Sequence, residues 1–379
     1  MSSSQSSIWS QTGPRAWYQE LKSFLLQIGF INSKADTSLF VLRRGHHLTY
    51  ILVYLDDINI TGSSPTYLEA LICDLGQRFS LKDLGNLSFF LGIEVLPHPH
   101  GILLSQQRYI LDLLSRTKMS GSNGVTTPLA SSSKLRLTFG KPLADPEQYS
   151  SVVGSLQYLA LTRSDPSYVV NKLSQFLHCP TDEHWEATKR VLRYLRLTAG
   201  HDLLLRRSPS LSLHAYSDAD WADNPDDYTS TGAFVIFLGP NAISWSSRKQ
   251  RTVAHSSTEA EYRVVATTAA ELRWVLSLLT ELHVSIPTQP VIYCDNVGAT
   301  HLCANPVFHS CMKHLVLDYH FIREHVQHGI LRVTHVRSED HLADSLTKPL
   351  PRRRFQELHV KIGVLPRPSN LRGHDRDKS

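Results

Sequence analysis

The sequence predicts an α/β fold. A mixed sheet with flanking helices occupies residues 208–351, preceded by an α+β segment and a helical connecting region. Three observations carry this. Three short strands follow one another at LHAYSDADWA, GAFVIFLG and NAISWSS. A helix–strand–helix–strand–helix succession then runs over 257–347, an order that builds a mixed sheet. A stretch rich in Ser, Gly and Pro at 120–147 and a Ser/Pro break at 208–212 divide the chain. The 379 residues, 41% hydrophobic, suffice for two or three cores and exclude a wholly disordered chain.

The elements run in order from the N-terminus. Residues 1–12 open Ser-rich and are expected to be disordered. WYQELKSFLLQIGF (17–30) has the period of an amphipathic helix, stopped by Gly29. LTYILVYLDDINIT (48–61) reads as two strands with Asp56 and Asp57 at the turn between them. A helix is predicted at 66–79. LSFFLGIEV (87–95) reads as one strand, and GILLS as a short partner beyond a Pro/His/Gly turn. A helix at 106–117 ends the first part at about residue 118. After the linker, helices are predicted at 148–161 and 182–198. Lys189, Arg193 and Arg196, spaced by four and three, share one face of the second, where they could lie along phosphates. Beyond residue 208 come the three strands, a long helix at 257–283, a strand VIYCDN (291–296), a helix at 314–328, a strand LRVTHV (331–336) and a last helix at 339–347. Residues 352–379 read as a basic tail that opens Arg352-Arg353-Arg354.

Charge is distributed by segment. Net charge is −1 over 1–115, +6 over 116–215, −5 over 216–351 and +5 over 352–379. Basic blocks beside an acidic one fit nucleic-acid contact in the former and metal-binding carboxylates in the latter. No run of 18 apolar residues and no apolar, basic-flanked leader occurs, so neither a membrane span nor a secretory signal is expected. Five cysteines without a CxxC exclude a disulfide framework or a structural zinc site and favour a reducing, intracellular setting. A cytoplasmic particle and the nucleus are both open. Nine histidines between His283 and His341 show no metal-ligand spacing and read as surface or packing residues.

Four carboxylates fall where an α/β fold can gather them. Asp218 ends the first strand, Glu259 opens the long helix, Asp295 ends VIYCD, and Asp344 lies in the last helix. Convergent carboxylates repel unless cations neutralise them. Hard dications suit oxygen ligands, above all two Mg²⁺, with Mn²⁺ as the alternative ion. Two such ions activate a water and stabilise the leaving oxygen in phosphodiester hydrolysis. Asp220, Asp223 and Glu261 read instead as structural or solvated neighbours. Arg248, Lys249 and Arg251 form a local basic run inside the acidic block, open to a nucleic-acid backbone or simply to solvent.

The words around these residues resemble a known family. AYSDADWA, STGAFVIFLG, ISWSSRKQRTVAHSSTEAEY, YCDN, NPVFH, KHLVLDYHFIREHV and LADSLTK, in that order over about 208–355, resemble the ribonuclease H domain of Ty1/copia-type retrotransposon polyproteins. GPRAWYQEL, SLFVLRRGHHLTYILVYLDDINITGSS and FSLKDLGNLSFFLGIEV resemble the reverse-transcriptase palm of the same polyproteins. LSQQRYILDLL, TPLA, YSSVVGSLQYLALTRSDPSYVVNKLSQF and HWEATKRVLRYL continue the likeness through the connecting region, so that about 13–360 is covered.

The resemblance implies a ribonuclease H-like fold at 208–351 and a partial palm at 13–118. It implies that Asp218, Glu259, Asp295 and Asp344 hold two Mg²⁺ and cut the RNA strand of an RNA–DNA hybrid, read by backbone shape and ribose 2′-OH. Where Val316 stands the family usually has an acidic residue, which puts any role of Asp318 and His320 in doubt. The family's polymerase site also uses an earlier aspartate, and none of residues 1–12 is acidic. The chain alone is therefore expected not to synthesise DNA, and an upstream part of the polyprotein is a further expected partner. The alternative is a catalytically inactive, nucleic-acid-binding remnant of a degenerate element.

Overall fold

The computed structural model describes residues 13–54, 57–304 and 316–367. They form two compact units, residues 1–91 with 274–285, and residues 92–273 with 286–379.

The first unit holds α1 (Gly13–Gln27), β1 (Ile31–Asn32), β2 (Leu39–Arg44), β3 (His47–Tyr54), β4 (Asp57–Gly62), α2 (Pro65–Phe79) and β5 (Phe89–Phe90). The four strands β1–β4 pair in sequence order, all antiparallel. Leu21, Phe24, Leu25, Phe40, Ile51, Val53, Leu71 and Leu75 form its core. β3 alternates as predicted, with Thr49, Ile51 and Val53 buried. The predicted strand 87–95 is broken: Leu91 and Gly92 both have positive φ, which interrupts extended backbone.

The second unit begins with β6 (Ile93–His98), β7 (Gly101–Ser105), α3 (Gln107–Arg116), α4 (Pro146–Tyr158), α5 (Ser167–Ser174), α6 (Asp182–Leu197) and β8 (His201–Arg206). β6, β7, β8 and a late strand, β14 (Val364–Pro366), are neighbours in an antiparallel sheet. This differs from a boundary at residue 118. β7 bonds β8 along its length, and Ile110, Leu113 and Leu114 of α3 share one core with Val153 of α4 and Val191 and Leu195 of α6. Residues 92–118 thus fold with α4, α6 and β8.

The remaining elements are β9 (Leu213–Asp220), β10 (Thr231–Leu238), β11 (Asn241–Lys249), α7 (Ser257–Glu281), β12 (Val291–Cys294), α8 (Val297–Ala304), α9 (Val316–Gln327), β13 (Arg332–His335) and α10 (Arg352–Ile362). Their sheet runs β11-β10-β9-β12-β13, with β9–β11 antiparallel and β9, β12 and β13 parallel. This is the mixed α/β sheet with flanking helices that the resemblance implies. The predicted helix at 339–347 is instead two short 3₁₀ turns, Ser338–Asp340 and Leu342–Leu346. The basic tail is a correction too. Phe355, Leu358, His359 and Ile362 bury one face of α10, and Leu358 and Ile362 pack with Ala233, Val235 and Leu346. Its Arg352-Arg353-Arg354 opening conceals an amphipathic helix. No described helix is long and apolar enough to cross a membrane.

Candidate metal centre

β9 is the pivot of the site. It has antiparallel β10 on one side and parallel β12 on the other. Ligand sites in open α/β sheets form at the carboxyl ends of strands where the strand order reverses, here between β9 and β12. Register does the rest. Cys294 on β12 faces Ser217 on β9, so Asp295, the next residue, comes level with Asp218. Asp218 is 2% exposed. The Thr347 hydroxyl donates to its Oδ2.

The long helix supplies the third carboxylate, and here the structure corrects the sequence reading. Residues two apart on a helix lie about 200° apart, so Glu259 and Glu261 cannot both face the strand. Glu261 faces it. It is 4% exposed, and its Oε1 accepts the Ala219 N–H at 3.0 Å. Glu259 instead serves the start of α7: its Oε2 accepts the His255 N–H at 2.9 Å, and its Oε1 pairs with Arg263. The Ser256 Oγ accepts the Glu259 N–H at 3.2 Å. Ser256-x-x-Glu259 is a helix-start pattern, a signal that could have separated the two glutamates.

Asp218, Glu261 and Asp295 each present an oxygen within 4.8 Å of the others. Asp344, on the second 3₁₀ turn, joins Asp218 and His341 in another such group. Burial of Leu342 and Leu346 against β10 anchors that turn. The structure thus places Asp218 beside Asp295 in one group and beside Asp344 in the other, and leaves Glu259 outside both. Two cations missed in the sequence stand at the rim. The Lys348 Nζ lies 2.8 Å from the Asp344 Oδ1 and 3.6 Å from the Asp218 Oδ2, and the Arg354 Nη2 lies 3.6 Å from the Asp344 Oδ2. Ser338 Oγ donates to the Asp295 Oδ2 at 2.9 Å.

The electrostatics are lopsided. Among the described residues, no basic side chain ion-pairs with Glu261 or Asp295. Burial, then the charge of Asp218, pushes the Glu261 carboxyl from an ordinary 4.5 up to about 9, with Asp295 adding to the rise. Burial also raises Asp218, against the pull of Lys348. Burial and the Asp223 charge push Asp220 to about 6, while Asp223 is itself held by Lys172 at 2.8 Å. A raised Glu261 means the folded chain binds a proton that the unfolded chain has lost. Its stabilising share is whole below about 4.5 and drains away as pH rises toward about 9. In chelator, the thermal midpoint is expected to fall between pH 6 and pH 8, and Glu261→Gln should flatten that fall. An equal slope in the variant would contradict the assignment.

The expected nucleic-acid contacts divide. On α6, Lys189 pairs with Glu186 at 2.7 Å and Arg196 Nε donates to the Ser120 carbonyl at 2.6 Å. Arg193 is half-buried. That stripe is largely engaged within the fold. Arg248, Lys249 and Arg251 line a groove of about 640 Å³ together with Arg263 and Gln250. Arg248 and Arg251 are exposed, whereas Lys249 pairs with Asp227. Of the hairpin pair, Asp57 is exposed where β4 begins, and Asp56 lies outside the described residues.

Residues 6–131 match the family Reverse transcriptase (RNA-dependent DNA polymerase). The Retrovirus-related Pol polyprotein from transposon RE1 of Arabidopsis thaliana is 60% identical over 93% of this chain, and the chain spans 24% of that relative's length. A putative transposon Ty5-1 protein of Saccharomyces cerevisiae is 35% identical, over 68% of this chain and 85% of its own length. Among solved structures, LC11-RNase H1 in complex with RNA/DNA hybrid is similar at a TM-score of 0.28 and 14% identity, over 36% of this chain and 94% of that one. Identity at these levels to transposon proteins, one of them covered over most of its length, shows that the chain belongs to the copia-type retrotransposon polyprotein family.

Proposed function

We propose that the chain carries a ribonuclease H-type endonuclease that cuts the RNA strand of RNA–DNA hybrids, with Asp218, Glu261, Asp295 and Asp344 as its metal-holding carboxylates. The observation that carries this is the position of Asp218, shared between two groups of three ligand atoms. The oxygen donors of Asp218, Glu261 and Asp295 suit a hard dication such as Mg²⁺. The accumulated negative charge that raises Glu261 is what such an ion would relieve. Two bound ions supply an activated water and stabilise the leaving oxygen.

The chain's own residues hold and orient. Ala219 N–H fixes Glu261, Ser338 fixes Asp295, and Thr347 fixes Asp218. Preset ligands lose little orientational freedom when an ion or phosphate arrives. The exposed Arg248 and Arg251 flank a groove suited to a phosphate backbone. Family membership supports the hybrid as substrate.

The test is Mg²⁺-dependent cleavage of a labelled hybrid by the full chain beside Asp295→Asn. Cleavage is expected in the parent and a loss of more than about a hundredfold in the variant, since even supporting residues around metal ligands are worth 10–100-fold. Equal signal in both, or signal persisting in chelator, would refute the reading. Binding of the hybrid without cleavage would favour the inactive, nucleic-acid-binding alternative.

A further inference from the structure

His341 is fully buried, at 0% exposure, and neither ring nitrogen has a hydrogen-bond partner among the described residues. Buried imidazole nitrogens are costly when left unbonded. Packing explains only part of the placement: the ring meets the edge of Tyr216 at 5.9 Å between centroids, a contact that phenylalanine would make equally well. One ring nitrogen lies within 4.8 Å of carboxylate oxygens of both Asp218 and Asp344. The two halves of the site therefore differ in chemistry. Asp218, Glu261 and Asp295 offer oxygen only. Asp218, Asp344 and His341 offer two oxygens and a nitrogen.

We propose that Asp218, His341 and Asp344 form a mixed nitrogen–oxygen half-site that takes a first-row transition dication in preference to Mg²⁺. The proposal rests on the reading of Asp218 and Asp344 as metal ligands and adds the ion each half selects. Mg²⁺ favours carboxylate and water oxygens, and imidazole shifts preference toward transition ions. The Lys348 ammonium is the competitor. It sits against the same two carboxylates, with its side chain about a third exposed at 36%, so it can turn outward as the ion enters. Arg354, on the far oxygen of Asp344, and the Thr347 hydroxyl on Asp218 keep both carboxylates aimed inward. The two halves share Asp218, so filling one steadies the other.

The probe is Mn²⁺, followed by electron paramagnetic resonance on the full chain. In the parent, bound Mn²⁺ should show histidine nitrogen coupling that survives excess Mg²⁺, and it should persist in Asp295→Asn, which weakens only the all-oxygen half. His341→Gln should lose the coupling, and its preference for Mn²⁺ over Mg²⁺ should fall on the order of tenfold or more. Bound Mn²⁺ without nitrogen coupling in the parent, or coupling retained in His341→Gln, overturns the proposal. If His341→Gln does not fold, ¹⁵N-histidine labelling of the parent still decides it: an unchanged spectrum overturns the half-site. Nitrogen-coupled Mn²⁺ in a chain that cuts no hybrid supports the half-site and sinks the nuclease. Hybrid cleavage with Mn²⁺ bound by oxygen alone sinks the half-site and leaves the nuclease standing.

Discussion

Glu261→Gln is expected to lower Mg²⁺-dependent hybrid cleavage by more than about a hundredfold, while Glu259→Gln leaves it within a few-fold of the parent. The two substitutions make the same chemical change two residues apart. Only one falls beside Asp218 and Asp295. Glutamine at 261 keeps a carbonyl oxygen to accept the Ala219 N–H, so the helix-to-strand tie survives and the charge alone is removed. Glutamine at 259 weakens the pair with Arg263 at the start of α7. Glu259 is buried in that pair and Arg263 only 19% exposed, so the change is expected to show in stability rather than in cleavage. Circular dichroism of both variants should match the parent. Loss of cleavage in Glu259→Gln with full activity in Glu261→Gln would reverse the assignment.

Arg163→Met is expected to destabilise the second unit by about 3–5 kcal/mol, because it leaves a buried carboxylate without its partner. Arg163 is 1% exposed and grips Asp165 with two bonds of 2.7 and 2.8 Å. Its other donors reach the Thr198 carbonyl at 2.9 Å and the Thr198 hydroxyl at 2.8 Å, and the Tyr194 hydroxyl donates to Asp165 at 2.6 Å. Burial by itself would raise Asp165, but Arg163, with His359 of α10, holds it well below the ordinary carboxylate range. The cluster ties α6 and α10 to the loop before α5. Its contribution is present above the ordinary aspartate pKa and disappears as pH falls below it. Arg163→Met with Asp165→Asn should recover part of the loss, since no orphan charge remains. Urea denaturation of the parent, the single variant and the double variant measures this. A single variant as stable as the parent would show that the cluster adds nothing.

Much of the mixed sheet is legible in the sequence, and the parts that are not have physical causes. β10 and β11 are joined by the two-residue turn 239–240, and β9, β10 and β11 are each a short run of strand-forming residues bounded by turn residues, so they are marked locally. β8, His201–Arg206, gains its identity from β7 and β14, partners far along the chain that no local pattern reveals. α5 is eight residues long and follows a proline, too short for a period to declare itself. α10 is readable: Phe355, Leu358, His359 and Ile362 have the i, i+3, i+4, i+7 spacing, masked only by the three arginines that open it. Asp218 and Asp295 are legible because strand ends gather at one sheet edge, and Asp344 through the LADSLTK motif that carries the family resemblance. The fourth is not, because helix phase, rather than composition, decides between Glu259 and Glu261. His341 is one of nine neighbouring histidines, and its two unbonded nitrogens appear only once the fold encloses it.

The sheet that joins β7 to β8 and β14 also has a consequence in time. During synthesis β7 emerges roughly a hundred residues before β8, a wait on the order of 5–20 s at ribosomal rates. Its edge stays open through that interval, exposing the apolar Leu103 and Leu104. β14 closes the other side of β8 later still, and Arg367 then locks onto Asp202 and Ser105 at 2.9 and 2.8 Å. Contacts so distant in sequence slow folding. The nascent chain is thus most open to mispairing and chaperone capture before residue 206 is made, while the mixed sheet beyond it is still unwritten.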